Sequence, residues 1–162
     1  MELTIIIFLL GGLFLGWSLG ANDAANVFGT AVGTRMVQFK TAAIVCSIFV
    51  ILGAIISGSG TTETLGKLGS INALPGAFAA CIAAGLSVYI MTKSGLPVST
   101  TQAIVGAIIG WNLYTGSSTN IQVLITILGT WVLCPIIAGL LSMLFFVITK
   151  NFLQKAKLHI LR

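Results

Sequence analysis

Residues 3–34 read LTIIIFLLGGLFLGWSLGANDAANVFGTAVGT, and Asp23 is the only ionisable side chain among them. As one straight helix this stretch would run ~48 Å at ~1.5 Å per residue, against a bilayer hydrocarbon core of ~30 Å. The excess predicts a break at Gly20-Ala21-Asn22-Asp23, where Gly is permissive and Asn and Asp compete for backbone hydrogen bonds. Arg35 to Lys40 then reads as a short polar turn.

The rest of the composition extends that reading. Of 162 residues, 57% are hydrophobic and 7% charged, with a mean hydropathy of +1.09, whereas a soluble domain carries ~25% charged residues. A water-facing surface cannot be built from this inventory, so the expected class is an all-α integral membrane protein with lipid as its solvent. The N-terminus has Glu2 where a signal peptide has basic residues, which favours a retained first span. The net charge of +5 does not point to nucleic acid, because Lys150, Lys155, Lys157 and Arg162 gather after the last apolar run as a juxtamembrane basic tail. His159, in that tail, reads as solvated. Cys46, Cys81 and Cys134 stand singly in apolar runs and read as small hydrophobes.

Further membrane segments are expected at 41–58, at 74–92 with Pro75 in the first turn, and at 121–149, where Pro135 bends one long helix. A polar loop, 60–72, holds Glu63 and Lys67. The segment 95–114 is different, since its apolar part, 103–114, is too short to span. An extended entry over Gly95–Val98 followed by a helix from Ser99 makes a discontinuous crossing with Ser99, Thr100 and Thr101 near mid-membrane; a re-entrant hairpin is the alternative. Five crossings place Arg35, Lys40, Lys93 and the tail 150–162 inside and only Lys67 outside, a strong positive-inside bias. An odd count means that a second copy fused after the tail would lie inverted, as in inverted-repeat transporters. The chain is thus expected to be a single repeat, 1–162, in the plasma membrane.

Asp23 is the only acidic residue inside an apolar segment, where a charge costs ~2.5–3.5 kcal/mol on insertion scales and calls for a partner. If a helix starts near Asn22, then Asn22, Asp23, Asn26 and Thr30 share a face. Their carboxylate, amide and hydroxyl oxygens suit a hard cation such as Na+, and the amide nitrogens and helix start suit an anion. The plainer reading makes Asp23 a cap of the second half-helix and Asn26 a polar packing contact. In the second constellation, Pro97 holds Leu96 extended, Ser99 is a good N-cap, and Gln102 completes a capping box. The free N–H groups of that helix start, with the Thr100 and Thr101 hydroxyls, form an anion cradle, although S-x-x-Q before an apolar run is also an ordinary helix start. Gly106 and Gly110 form a GxxxG step suited to close helix packing. No nucleophile–base pair or metal cluster points to an enzyme.

Gly20-Ala21-Asn22-Asp23-Ala24-Ala25-Asn26-Val27-Phe28-Gly29-Thr30 resembles the GANDVANAFGT signature of the inorganic phosphate transporter family (PiT, or Pho-4). Pro97-Val98-Ser99-Thr100-Thr101-Gln102-Ala103-Ile104-Val105-Gly106-Ala107-Ile108-Ile109-Gly110 resembles its second motif, PVSTTHxxxGAxxG. The resemblance implies secondary transport of inorganic phosphate driven by Na+ or H+, with no other cofactor. It implies that Asn22, Asp23 and Asn26 contribute to the phosphate and cation sites and that Ser99, Thr100, Thr101 and Gln102 hold the anion. Gln102 stands where the family commonly has His, which removes a titratable group. Family members carry two such repeats and this sequence shows one, so the expectation is a half-transporter, a subunit of a two-chain transporter completed by an inverted repeat from another chain or an oligomer mate, or a fragment. A carboxylate facing the anion favours phosphate over sulfate, because phosphate keeps a proton to donate at neutral pH. The rival readings are a sulfate or other oxyanion permease of the same fold and a non-transporting assembly or regulatory subunit.

Overall fold

The computed structural model describes residues 2–69 and 74–155. It contains five helices: α1 (Glu2–Gly33), α2 (Phe39–Leu68), α3 (Leu74–Lys93), α4 (Thr100–Thr115) and α5 (Ile121–Lys155). No strand occurs among the described residues. Four of the helices, α1, α2, α3 and α5, are long and apolar enough to cross a membrane. The chain divides into two compact units, 1–120 and 121–162.

The first helix does not break. α1 runs continuously through Asn22 and Asp23, because both side chains are engaged by groups distant in sequence and do not compete for their own backbone. Its excess length is left to tilt. The expected polar loop 60–72 is also largely helical, since α2 continues to Leu68. Thr62 and Thr64 return their hydroxyls to the carbonyls of Gly58 and Gly60, and Glu63 pairs with Lys67 one turn on, in the favourable order along the helix. Residues 70–73, where the rest of that loop falls, lie outside the described residues, as does the tail from 156 onward with Lys157, His159 and Arg162. In the second unit, α5 keeps Pro135 inside a single helix, as expected, and extends past 149 to Lys155.

The core of the first unit lies among α1, α3 and α4. Phe8 meets Phe78 edge-on at 5.6 Å, Phe14 lies against Gly85, Trp17 sits 5.7 Å from Tyr89, and Asn22 meets Thr92, so α1 and α3 run parallel. Glycines set the closeness of this seam. A Cβ at Gly85 would stand 2.7 Å from the Phe14 ring, and one at Gly11 2.8 Å from the Phe78 ring. α4 returns antiparallel to α3, with Gly76 receiving the Trp111 indole near the base of the hairpin. Ala80, Ala84 and Val88 of α3 and Val105 and Ile108 of α4 are buried.

The hairpin tip turns at Gly95, whose φ of +73° is left-handed, and residues 96–99 carry no helix before α4 starts. Its base is closed by Gly116 in αL conformation (φ 70°), capping α4, and by Asn120 donating its N–H to Leu68. The tip stands level with Asn22 and Asp23. α1 continues ten residues beyond Asp23, ~15 Å, so the hairpin ends well short of that helix.

Candidate anion and cation site

At the tip, two elements from opposite ends of the unit converge. Asn22, 4% exposed, donates its amide to the backbone oxygen of Val98 at 2.5 Å and to Asp23 Oδ1 at 2.8 Å, while its own Oδ1 accepts the Thr92 hydroxyl at 3.3 Å. The bond to Val98 fixes the extended strand of the tip against α1. It also satisfies a carbonyl that no helix bonds, which in lipid needs a donor from within the protein.

Asp23 is half-buried, and its Oδ1 also accepts the hydroxyl of Thr100 at 3.3 Å. Thr100, 5% exposed, is the first residue of α4. The carboxylate in the apolar middle of α1 is thereby placed beside a helix N-terminus, where the dipole and free N–H groups favour negative charge. Ser99 is the N-cap, as expected, and its hydroxyl accepts the N–H of Gln102 at 3.3 Å. The N–H groups of Thr100 and Thr101 are left without helical acceptors, as at any helix start. On its other side Asp23 lines a cleft of about 750 Å³ between α1 and α2, whose wall is otherwise small and apolar apart from Ser47.

Of the residues singled out in the sequence, Asn22, Asp23 and Thr100 meet directly, and Ser99 is one residue away. Thr101 and Gln102 are exposed on the first turn of α4. Asn26 is exposed without a side-chain hydrogen bond among the described residues, and Thr30, also exposed, contributes only its backbone carbonyl, to Thr34. Sequence reasoning missed Thr92 and the Val98 carbonyl. Thr92 carries no motif, and its role depends on a helix end at Lys93 facing the middle of α1, which spacing does not reveal.

Oxygen donors predominate here: one carboxylate, one amide oxygen and hydroxyls. Such a set matches a hard cation better than a transition metal, and among the described residues no group of three His, Cys, Asp or Glu gathers. The carboxylate suits a cation, and the free N–H groups of Thr100 and Thr101 suit an anion beside it.

Four long apolar helices define a multi-pass membrane protein, with a polar cluster at the tip of a helical hairpin. The chain belongs to the phosphate transporter (PHO4) family, whose model matches residues 19–161. It is 36% identical over 161 residues to a protein of Pyrococcus furiosus that carries a phosphate permease name, covering 93% of this chain and 39% of that one. A protein of Haemophilus influenzae with a phosphate permease name is 36% identical over 152 residues, covering 86% of this chain and 36% of its own length. The chloroplastic inorganic phosphate transporter 2-1 of Arabidopsis thaliana is 31% identical over 160 residues, covering 91% and 27%. The chain thus spans about two fifths or less of the length of these relatives. No solved structure matches it.

Proposed function

We propose that this chain forms one repeat of a cation-coupled inorganic phosphate transporter of the plasma membrane, working together with an inverted repeat supplied by another polypeptide or an oligomer mate. The observation that carries the reading is the contact of Asp23 with Thr100 at the start of α4, which sets a carboxylate against an anion-attracting helix end. In this reading α3 and α4 form a re-entrant hairpin whose tip lies at mid-membrane depth. The tip is level with Asp23, ~8 Å from the midpoint of α1, and α1 overshoots it. Phosphate sits at the Thr100 and Thr101 N–H groups with Ser99, Thr101 and Gln102 around it. Na+ or H+ is taken by Asp23, with Asn22 holding the carboxylate and Asn26 and Thr30 completing the cation path toward the second repeat.

Selectivity follows from Asp23, because a protonated phosphate oxygen donates to a carboxylate whereas sulfate at neutral pH has no proton to give. α1 and α3 run parallel, so both enter from outside in this reading; α3 stops at the tip and leaves Lys93 within the membrane, whereas five full crossings would carry it to the inside. The test is radiolabelled phosphate uptake by the assembled transporter, with Na+ replaced by K+ and with the pH gradient collapsed in separate arms. Uptake should depend on one of the two gradients, and Thr100→Val should lower phosphate affinity about tenfold (~1.4 kcal/mol). Equal competition by sulfate would make the protein a general oxyanion permease. Unaltered affinity in Thr100→Val would remove the helix start from the site.

A further inference from the structure

A second cavity, of about 310 Å³, lies between α1 and α3 beside the Asn22–Thr92 contact and is lined by Trp17, Ser18, Ala21, Tyr89, Thr92 and Lys93. At ~30 Å³ per liquid water it has room for a tetrahedral oxyanion with several waters. Its lining holds one cationic group and no carboxylate.

A buried donor that lacks an acceptor meets a cation in it. Ser18 is 1% exposed and its hydroxyl has no hydrogen-bond partner. Other helical hydroxyls here return to a carbonyl one turn back, as Ser47 does to Ala43, Ser87 to Ala83, Ser94 to Ile90 and Thr126 to Gln122. Ser18 keeps its donor free, and a buried unpaired hydroxyl is costly unless something else accepts it. The Thr92 hydroxyl in the same lining donates to Asn22 Oδ1.

Lys93 is the cation. Its ammonium lies 5.9 Å from the centre of the Tyr89 ring, and among the described residues it pairs with no carboxylate. It stands at the hairpin tip, ~15 Å short of the end of α1 that points inside. Lys93 is exposed, and at this level its stem can carry the ammonium either to the interface or to a counter-charge in the pocket.

We propose that this pocket binds a phosphate group, held by the Lys93 ammonium and the Ser18 hydroxyl, as a station separate from the Asp23 site. The inference rests on the membrane placement proposed above but not on transport, because every lining residue belongs to α1 and α3 of this chain. The group arrives either as free phosphate on its way to or from the tip, or as the headgroup of an anionic lipid whose tails lie on the apolar flanks of the two helices.

The test uses the purified full chain, each variant first checked for wild-type helicity and melting. In lipid-free detergent, binding of radiolabelled inorganic phosphate is measured for wild type, Lys93→Gln, Lys93→Arg and Ser18→Ala, each with and without Thr100→Val, which weakens the tip site. In parallel, anionic phospholipid retained through purification is quantified by native mass spectrometry. Free phosphate as the ligand predicts saturable binding weakened at least fivefold by Lys93→Gln and severalfold by Ser18→Ala, and largely restored by Lys93→Arg. A lipid headgroup predicts retained lipid lost in Lys93→Gln and kept in Lys93→Arg, with no phosphate isotherm. If neither phosphate nor retained lipid responds to Lys93, the lysine merely extends to the interface and the proposal is overturned. Loss of Lys93-dependent binding with the Thr100 effect intact would leave the transport reading standing, and the reverse result would leave the pocket standing without it.

Discussion

Asn22 and Asn26 stand four apart and were expected to share one face and one role, yet the fold assigns them different work, and replacing each by Ala separates the two. Asn22→Ala removes the donor to the Val98 carbonyl, a donor to Asp23 Oδ1, and the acceptor of the Thr92 hydroxyl. An interhelical hydrogen bond in a membrane averages ~0.6 kcal/mol and reaches ~1.7, and a buried acceptor left unpaired costs ~1–3 kcal/mol. With the residue 4% exposed, water cannot easily replace the amide, so the loss should total about 2–3 kcal/mol and fall on the docking of the hairpin tip. Asn26→Ala touches an exposed side chain with no hydrogen bond among the described residues and should stay within ~0.5 kcal/mol. Reversible unfolding of the chain in bicelles, with hydrogen exchange across residues 94–102 as the local readout, measures both. Equal destabilisation by the two substitutions, or unchanged exchange at the tip in Asn22→Ala, would refute the claim that Asn22 ties the tip to α1.

Gly85→Ala should destabilise the α1–α3 seam by about 1–3 kcal/mol, since its Cβ would stand 2.7 Å from the Phe14 ring. Gly20→Ala, with open space around it, should be neutral or stabilising by ~0.5–1 kcal/mol in the same unfolding assay. Ser99→Ala removes the oxygen that accepts the Gln102 N–H and should cost about 1 kcal/mol, with faster hydrogen exchange confined to the first turn of α4. Cysteines introduced at Met36 and Ser118, labelled from either side of sealed vesicles, should report opposite faces and a single orientation, as the basic residues at Arg35 and Lys40 require. Mixed labelling would mean that the charge bias does not fix the topology.

The fold class was legible because lipid imposes a composition that few other solvents allow. The helix start at Ser99 was legible because capping chemistry is local, so a Pro, a Ser and a Gln in order are enough. The continuity of α1 was not, because Asn and Asp break a helix only when their side chains turn on their own backbone, and here Val98, Thr92 and Thr100 draw them away. These partners lie seventy or more residues along the chain. The helical extension of α2 was missed for a related reason: Gly, Ser and Thr between 58 and 64 read as a loop by propensity, while hydroxyl-to-carbonyl bonds one turn back and the Glu63–Lys67 pair support a helix. The two motifs meet in the fold, but the division between buried Asn22 and Thr100 and exposed Asn26, Thr101 and Gln102 depends on how α1, α3 and α4 pack.

The bond from Asn22 to Val98 also sets an order of assembly. Val98 hands its carbonyl to a side chain 76 residues earlier in the chain. A hairpin inserted by itself would bring that acceptor bare into lipid, where no water can receive it. Synthesis proceeds from the N-terminus, so α1 is already threaded into the membrane, with its amide waiting, when the tip emerges. A circularly permuted chain that made α1 last would leave the tip stranded through insertion and open to capture by whatever donor arrived first.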